Sequence, residues 1–196
     1  MAEDTRLQAL ARVARALNGA RVTWALGASA MLRLEGIVPD FHDFDLLVTP
    51  GDADAARRAL LALGAQEAPP LPPSGTYATA LFREYRMCGE DFDLLCDFAV
   101  RRGGVAYRYP FGPERVTRSV PVGGEPVPLS PVADWFVLYL LMPGRAGQAE
   151  TVARWLTAHP DPQSLAWLDR WLDGPLPEDV RAQSEALRRA MDPQRR

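Results

Sequence analysis

Apolar residues recur at helical spacing near the N-terminus and again through the last third of the chain. At the N-terminus, the run from Leu7 to Leu17 predicts a helix that Thr5 and Gln8 open as a capping box and that Asn18 and Gly19 end. The later pattern predicts four helices, over 132–141, 147–158, 162–172 and 177–191. The last of these helices, with the residues 194–196 that end it, is mostly polar and is predicted to fray or to serve a partner.

Between these helical regions the apolar runs are short and bounded by turn residues, as is typical of strands. They predict strands over 21–26, 43–48, 77–88, 91–96, 115–120 and 125–129. A short helix is predicted over 29–35, and a second runs to Leu63 from a turn and N-cap at 49–52, with Gly64 at its end. Four prolines in 68–75 exclude helix and central strand and predict an exposed loop.

These elements predict an α+β fold in which a mixed β-sheet is flanked by helices and followed by a C-terminal helical region. We expect an α/β core over residues 1–130 and the helical region over 131–196. With 196 residues, 47% of them hydrophobic, the chain is long enough to bury a substantial core.

Two strands carry carboxylates at alternate positions. Residues two apart on a strand share a face, so Asp43 and Asp45 project side by side, and adjacent carboxylates repel unless a cation lies between them. Asp93 is the favoured third ligand, with Asp97 in reserve and Asp91 interpreted as a turn residue. Oxygen ligands of this kind suit Mg²⁺ or Mn²⁺. The second Asp-Phe-Asp-Leu-Leu segment is interpreted as coincidence and not as a duplication, because its flanks differ.

The segment Gly27-Ala28-Ser29 joins a predicted strand to a predicted helix. Glycine allows close approach of the backbone to a phosphate, and a helix N-terminus favours an anion. Ser29 adds a hydroxyl donor. The segment is therefore predicted to bind phosphate.

The arrangement strand, Gly-x-Ser, helix, Asp-x-Asp resembles the polymerase-β-like nucleotidyltransferase superfamily, with Gly27, Ser29, Asp43 and Asp45 matching its signature. The resemblance extends through Asp93 and the segment 124–131, and covers roughly residues 20 to 155.

The resemblance implies a small bacterial nucleotidyltransferase, similar to antitoxin or antibiotic-modifying members, that moves a nucleoside monophosphate from a nucleoside triphosphate such as ATP to a hydroxyl. Asp43, Asp45 and Asp93 would be catalytic and bind the metal, while Gly27, Ala28, Ser29 and, more weakly, Arg145 would bind the nucleotide. The acceptor would be a small molecule, a protein hydroxyl or an RNA end, and a cognate toxin protein is a further expected partner.

One departure leaves an alternative open. Relatives of this size often carry a lysine that meets the phosphates, and this chain has no lysine, since all 22 basic residues are arginine. The alternative is therefore a catalytically inactive nucleotidyltransferase-like module that acts by binding a protein partner. A hydrolase that uses the same carboxylates is a weaker third hypothesis, because it explains the Gly-Ser segment less well.

Charge and hydropathy limit the partners and the cellular location that we expect. A net charge of −3 argues against an extensive nucleic-acid surface, and the arginines at 83, 86, 101, 102 and 108 are interpreted as solvated strand edges. The N-terminus lacks an apolar signal segment and no run spans a membrane, so a cytoplasmic location is expected.

Other candidate residues have structural interpretations. His42 is interpreted as a loop imidazole beside the site, and zinc is not supported by the spacing of Cys and His. A two-residue hairpin turn at Gly89-Glu90 would pair position 88 with 91 and place Cys96 opposite position 83, so Cys88 and Cys96 are expected to stay unpaired. The tryptophans of the C-terminal region are interpreted as helix-packing anchors.

Overall fold

The computed structural model describes residues 2–192, with side chains from Thr5 onward, and it divides into two compact units. The first contains the described residues up to Pro73, together with Thr79–Phe98 and Pro110–Ser130. The second contains Ser74–Ala78, Ala99–Tyr109 and the described residues from Pro131. Residues 194–196, at the end of the last predicted helix, lie outside the described residues.

The described chain forms nine strands, seven α-helices and one short 3-10 helix (Pro113–Arg115). The strands are β1 (Trp24–Leu26), β2 (Phe44–Val48), β3 (Gln66–Glu67), β4 (Leu81–Met87), β5 (Glu90–Cys96), β6 (Ala99–Arg102), β7 (Val105–Arg108), β8 (Arg118–Val122) and β9 (Glu125–Leu129). The helices are α1 (Ala2–Gly19), α2 (Ala28–Leu34), α3 (Ala53–Ala62), α4 (Val132–Leu141), α5 (Ala146–Ala158), α6 (Pro162–Asp173) and α7 (Glu178–Met191). This content confirms the predicted α+β class.

Seven strands of the first unit form one mixed sheet in the order β3-β4-β5-β2-β1-β9-β8. The pairs β2/β5 and β1/β9 are parallel, and the other four neighbouring pairs are antiparallel. Alternation along the two central strands buries Phe44, Leu46, Phe92 and Leu94 completely on one face. Helix α1 packs against β8, β9 and α3, and α2 packs against β2.

Three predicted boundaries in this unit are wrong by a few residues. Helix α1 begins at Ala2, so Thr5 lies inside it and does not cap it. Strand β1 begins only at Trp24, because Arg21 has a positive φ of 57° and the amides of Arg21 and Val22 still bond to the carbonyls of Asn18 and Leu17 at the end of α1. Strand β8 begins at Arg118, three residues later than predicted.

The hairpin between β4 and β5 turns one residue earlier than the sequence suggested. Met87 pairs with Glu90, so the two turn residues are Cys88 and Gly89, both with positive φ (56° and 83°). Asp91 consequently lies within β5 and is no turn residue. Cys96 lies opposite position 81 and not position 83. Both thiols are free, Cys88 exposed in the turn and Cys96 buried at the far end of β5.

Asp52 links Thr23, the residue before β1, to the turn before α3. It occupies the N-cap position of α3, but its side chain caps no amide of that helix. Instead, its carboxylate accepts the backbone N–H of Thr23 at 2.9 Å and the hydroxyl of Thr49 at 2.8 Å. These hydrogen bonds, led by the Thr23 amide, hold the pKa of Asp52 below its ordinary value.

The second unit is organised around α4. Nine of the ten residues of this helix are buried, which is why its sequence is apolar on every side. Four elements pack against α4: helices α5, α6 and α7 and strand β6. Helix α7 also packs against α5 and α6, and β6 and β7 form a separate two-stranded sheet. Trp135, Trp167 and Trp171 are at least nine-tenths buried in this unit, in agreement with a packing role.

No helix within residues 2–192 is both long enough and apolar enough to cross a membrane.

The Asp52 interactions predict a charge-dependent contribution to stability. Asp52→Asn should lower the free energy of unfolding at pH 7 by about 1 kcal/mol, since hydrogen bonds to a charged group are replaced by neutral ones. Because the folded pKa is depressed, this contribution is present above about pH 4 and is lost as the pH falls through the folded value. Urea denaturation at pH 7 and pH 3 measures it.

The matched control is Asp54→Asn, which removes an exposed acid from the first turn of the same helix α3. It should change stability little at either pH. If Asp52→Asn and Asp54→Asn have equal effects at pH 7, the contribution belongs to the helix dipole and not to the Thr23 and Thr49 bonds.

Candidate active site

Two carboxylates meet at the centre of the sheet because β2 and β5 run parallel and in register. Asp45 is the direct partner of Asp93, and Phe44 is the partner of Phe92. On the core face, the rings of Phe44 and Phe92 stack with centroids 4.8 Å apart and an interplanar angle of 19°. A shift of register by one residue would bury the aspartates and expose the phenylalanines, so this packing fixes the two carboxylates side by side.

The structure separates the two candidates for the third carboxylate. Asp93 lies beside Asp45, whereas Asp97 follows the end of β5 and has a positive φ of 53°. Four residues of strand place them on the order of 13 Å apart along the chain. Only Asp93 therefore neighbours the predicted pair.

Asp93 has an unusual electrostatic environment. Burial is the largest cause and the negative charges of Asp43, Glu84 and Asp91 add to it, and together they raise the pKa of Asp93 to about 7. Glu84 is opposite Asp93 in the β4–β5 pair and was not predicted as part of the site. Its position could have been found only with the correct hairpin register, which depends on the turn at Cys88.

A cavity of about 540 Å³ opens beside these groups. Its lining includes the acidic residues Asp43, Glu67, Glu84, Asp91 and Asp93. Two of these carboxylates have cationic partners, since Glu67 accepts from Arg57 at 2.8 Å and Asp91 from Arg86 at 2.7 Å. The uncompensated charge is thus concentrated around Asp43, Glu84 and Asp93.

Within residues 2–192, no group of three or more His, Cys, Asp or Glu side chains is arranged so that it could hold a metal ion by itself. The aspartates therefore form an open, crowded array and not a closed cage. Carboxylate oxygens are nevertheless the donors that hard divalent cations prefer, and Mg²⁺ is commonly held by one or two carboxylates together with substrate phosphates.

The Gly27-Ala28-Ser29 segment forms the junction between β1 and α2, as predicted, but its donors differ from the expectation. The N–H of Gly27 donates to the carbonyl of Asp45 at 2.9 Å, so it is already used within the sheet. In the first i to i−4 hydrogen bond of the helix, the N–H of Met31 donates to the carbonyl of Gly27. The amides of residues 28–30 precede this bond, and such amides have no acceptor inside a helix.

Ala28 carries the unusual backbone conformation at this junction. Its φ is +43°, whereas Gly27 is extended with a φ of −122°. A left-handed alanine is strained. No local sequence signal marks Ala28, because alanine is an ordinary helix residue.

Ser130 anchors the junction from the other side. Its N–H and its hydroxyl both donate to the carbonyl of Leu26, at 3.0 and 2.9 Å, and its side chain is buried. Leu26 immediately precedes Gly27, so these two bonds fix the end of β1 where the chain turns into α2. Ser130 was noted only as part of the resembling segment 124–131, without this role.

The other candidate residues of the sequence are His42, Arg145, Arg83 and Arg86, of which Arg145 alone was predicted to bind the nucleotide. His42 is exposed, and its N–H lies 3.5 Å from the Ser29 hydroxyl, which agrees with a loop imidazole beside the site. Arg145 belongs to the second unit, where it is exposed at the N-cap of α5, and its role in binding phosphate stays a prediction. Arg83 and Arg86 form ion pairs with Glu67 and Asp91.

Solved structures with a similar fold include nucleotidyltransferases. TM1012 from Thermotoga maritima, regarded as a nucleotidyltransferase, matches with a TM-score of 0.59 and 21% identity over 78% of this chain and 93% of its own. ANT(2″)-Ia in complex with adenylyl-2″-tobramycin matches with a TM-score of 0.56 and 13% identity, over 98% of this chain and 99% of its own. The solution structure of the same antibiotic-resistance factor matches with a TM-score of 0.53 and 13% identity over 97% of each chain.

At these identities the likeness shows the fold, and the predicted resemblance to nucleotidyltransferases is confirmed at that level. No protein-family model matches the sequence, and no curated protein matches it.

The strained turn predicts an unusual response to glycine. Ala28→Gly should leave the free energy of unfolding unchanged or raise it by up to about 1 kcal/mol, because glycine adopts positive φ without the steric cost. Urea denaturation is the measurement.

Ala30→Gly, on the same helix, is the matched comparison and should destabilise by about 1 kcal/mol or more, since Ala30 is buried and has no positive φ. Equal losses in the two variants would contradict the left-handed conformation of Ala28.

Proposed function

We propose that this chain is a metal-dependent nucleotidyltransferase that moves a nucleoside monophosphate from a nucleoside triphosphate to a hydroxyl acceptor. The observation that carries the proposal is the pairing of Asp45 with Asp93 on adjacent parallel strands, next to the β1–α2 junction. The junction and the carboxylates are directly linked, because the Gly27 amide bonds to the Asp45 carbonyl. A phosphate held at the junction would thus lie close to the acidic array.

The acidic array fits a divalent cation by its donor chemistry. Burial and neighbouring negative charge already disfavour the ionised form of Asp93, and a cation relieves the same repulsion that a proton would. We propose that Asp43, Asp45 and Asp93 hold Mg²⁺ or Mn²⁺, with triphosphate oxygens completing the coordination. Bound there, the metal would neutralise charge on the transferring phosphate and orient the leaving group.

The residues of the chain would contribute mainly position and electrostatics, as is usual for phosphoryl transfer. The oxygen of the acceptor hydroxyl bonds to the α-phosphorus, the bond from that phosphorus to the bridging oxygen breaks, and pyrophosphate leaves. The amides of Ala28 and Ser29 and the Ser29 hydroxyl would donate to the phosphates. Asp93 would accept the hydrogen bond of the attacking hydroxyl and take up its proton.

For the acceptor we propose a small molecule or a protein hydroxyl. The acidic surplus around the cavity disfavours a long polyanion such as RNA. ANT(2″)-Ia, which has a similar fold over nearly its whole length, was solved with adenylyl-2″-tobramycin, so aminoglycoside hydroxyls are rational first acceptors to test.

A second candidate function is an inactive nucleotidyltransferase-like module that binds a protein, such as a cognate toxin. The absence of lysine favours it, because a mobile ammonium is a common phosphate ligand. Against it stands the crowded acidic array, since a site with no cation to bind gains nothing from adjacent negative charges.

Isothermal titration with each nucleoside triphosphate, with Mg²⁺ and with chelator, distinguishes the two functions without knowledge of the acceptor. We expect metal-dependent binding in the wild-type protein and its loss in Asp45→Asn, because the variant removes a charged ligand while keeping the shape of the side chain. Nucleotide affinity that is the same in both proteins would contradict the site, and absence of binding would favour the module that binds a protein.

The choice of third carboxylate is tested by a matched pair of substitutions on the same strand region. Asp93→Asn should weaken metal-dependent nucleotide binding by about tenfold or more, whereas Asp97→Asn should leave it close to wild type. Asparagine tolerates positive φ, so Asp97→Asn preserves the local backbone. The reverse order of affinities would move the site to Asp97.

A further inference from the structure

Arg6 reaches from α1 to the loop that precedes Asp43. Its guanidinium donates to the carbonyl of Phe41 at 2.9 Å and to that of His42 at 2.6 Å. The third nitrogen, Nε, donates to Glu90 at 2.8 Å. One side chain therefore joins three parts of the first unit: helix α1, the loop over 40–42 and the start of β5.

The environment of Arg6 makes these contacts stronger than those of an ordinary surface arginine. Its side chain is only 21% exposed, and that of Glu90 is 18% exposed, so the ion pair is partly protected from solvent screening. The guanidinium carbon also lies 3.7 Å from the centroid of the Phe41 ring, within the range of a cation–π contact. The planar fork of arginine suits several fixed acceptors at once.

The two ends of this contact network adjoin the candidate site. The His42 carbonyl belongs to the peptide bond that leads into Asp43, and Glu90 starts the strand that carries Asp93 three residues later. Phe41 in turn packs on Phe44, with ring centroids 4.9 Å apart, and Phe44 stacks on Phe92 between the two strands. Arg6 thus restrains the start of β2 and the start of β5 together.

We propose that Arg6 is a positioning residue that holds Asp43 in place for divalent-metal binding, by fixing the carbonyls of Phe41 and His42 against α1. This inference rests on the proposed function, because it assigns Arg6 to the metal site of that reaction. Arg6 touches neither metal nor nucleotide and acts through Asp43. The physical reason is that Asp43 precedes β2, so the sheet ladder that fixes Asp45 does not extend to it.

The test is the dissociation constant for Mn²⁺, measured by electron paramagnetic resonance of free Mn²⁺ with a non-hydrolysable ATP analogue present. Arg6→Ala should weaken Mn²⁺ binding about tenfold, the size typical of residues that orient a metal ligand. Arg6→Lys should restore part of the affinity, because an ammonium keeps the charge beside Glu90 but lacks the fork for both carbonyls.

Arg15→Ala is the matched control. Arg15 lies on the same helix and forms an ion pair of the same length, 2.8 Å, with Glu125, but its side chain is 75% exposed. This variant should bind Mn²⁺ like the wild type. If Arg15→Ala weakens Mn²⁺ binding as much as Arg6→Ala, the effect comes from loss of helix docking in general and the inference is wrong.

A double-mutant cycle separates positioning from overall stability. If Arg6 acts through Asp43, then adding Arg6→Ala to Asp43→Asn should weaken Mn²⁺ binding by less than twofold beyond Asp43→Asn alone. Fully additive losses would show that Arg6 contributes by another route and would overturn the inference.

The cycle also keeps the two proposals distinguishable. Wild-type and Arg6→Ala proteins with the same Mn²⁺ affinity, together with a weakened Asp45→Asn, would overturn the role of Arg6 and leave the proposed function standing. No Mn²⁺ binding by the wild type would overturn the metal site itself, and the positioning role with it.

Discussion

The parallel pairing of β2 with β5 is the constraint on which the candidate site depends. It places two aspartates next to each other on one face because two phenylalanines stack on the other face. Core packing is cooperative and register-specific, so the sheet can hold like charges at a spacing that they would not adopt freely. The raised pKa of Asp93 expresses the same constraint as a free energy, since protonation relieves part of the repulsion and the burial cost.

Separate sets of hydrogen bonds position the other parts of the candidate site beside Asp45 and Asp93. Two hydrogen bonds from Ser130 fix the carbonyl of Leu26. The N–H of the next residue, Gly27, donates a hydrogen bond to the carbonyl of Asp45 across the β1–β2 ladder. The β1–α2 junction and Asp45 are therefore fixed relative to each other by backbone hydrogen bonds. The start of β2 is different, because Asp43 stands outside the ladder and its neighbours depend on side-chain contacts from α1. Positional precision in this site thus has two physical origins.

The sequence predicted what depends on local periodicity. The helices over 132–141 and 162–172, and the strands that carry Asp45 and Asp93, follow from hydrophobic spacing and were found nearly in full. The hairpin register was wrong, because a turn with two positive φ values at Cys88 and Gly89 is not signalled by cysteine. That single residue changed which side chain faces Asp93: the structure has Glu84 there, whereas the expected register would have put Arg86 opposite it.

The remaining features of the site arise between residues far apart in the chain, which is why local patterns do not reveal them. Arg6 meets residues 35 and 84 positions away, and Ser130 meets one 104 positions away. The strain at Ala28 is likewise a product of the turn that the sheet and α2 impose. A left-handed alanine costs about 1 kcal/mol, and a carboxyl whose pKa is shifted from 3.8 to about 7 loses several kcal/mol of ionised-state stability at neutral pH.

The strained φ of Ala28 lies where β1 turns into α2, and the raised pKa of Asp93 arises where β2 pairs with β5. The backbone hydrogen bond from Gly27 to Asp45 joins these two places. Glycine at position 28 would avoid the steric cost of the positive φ, and a neutral residue at position 93 would avoid the cost of burying a charge beside other carboxylates. Ala28 follows Gly27 and Asp93 pairs with Asp45, so the strained residue and the crowded carboxyl each adjoin one partner of that backbone hydrogen bond. This proximity is the physical argument for the proposal that one site holds an anion at the junction and a cation at the carboxylates.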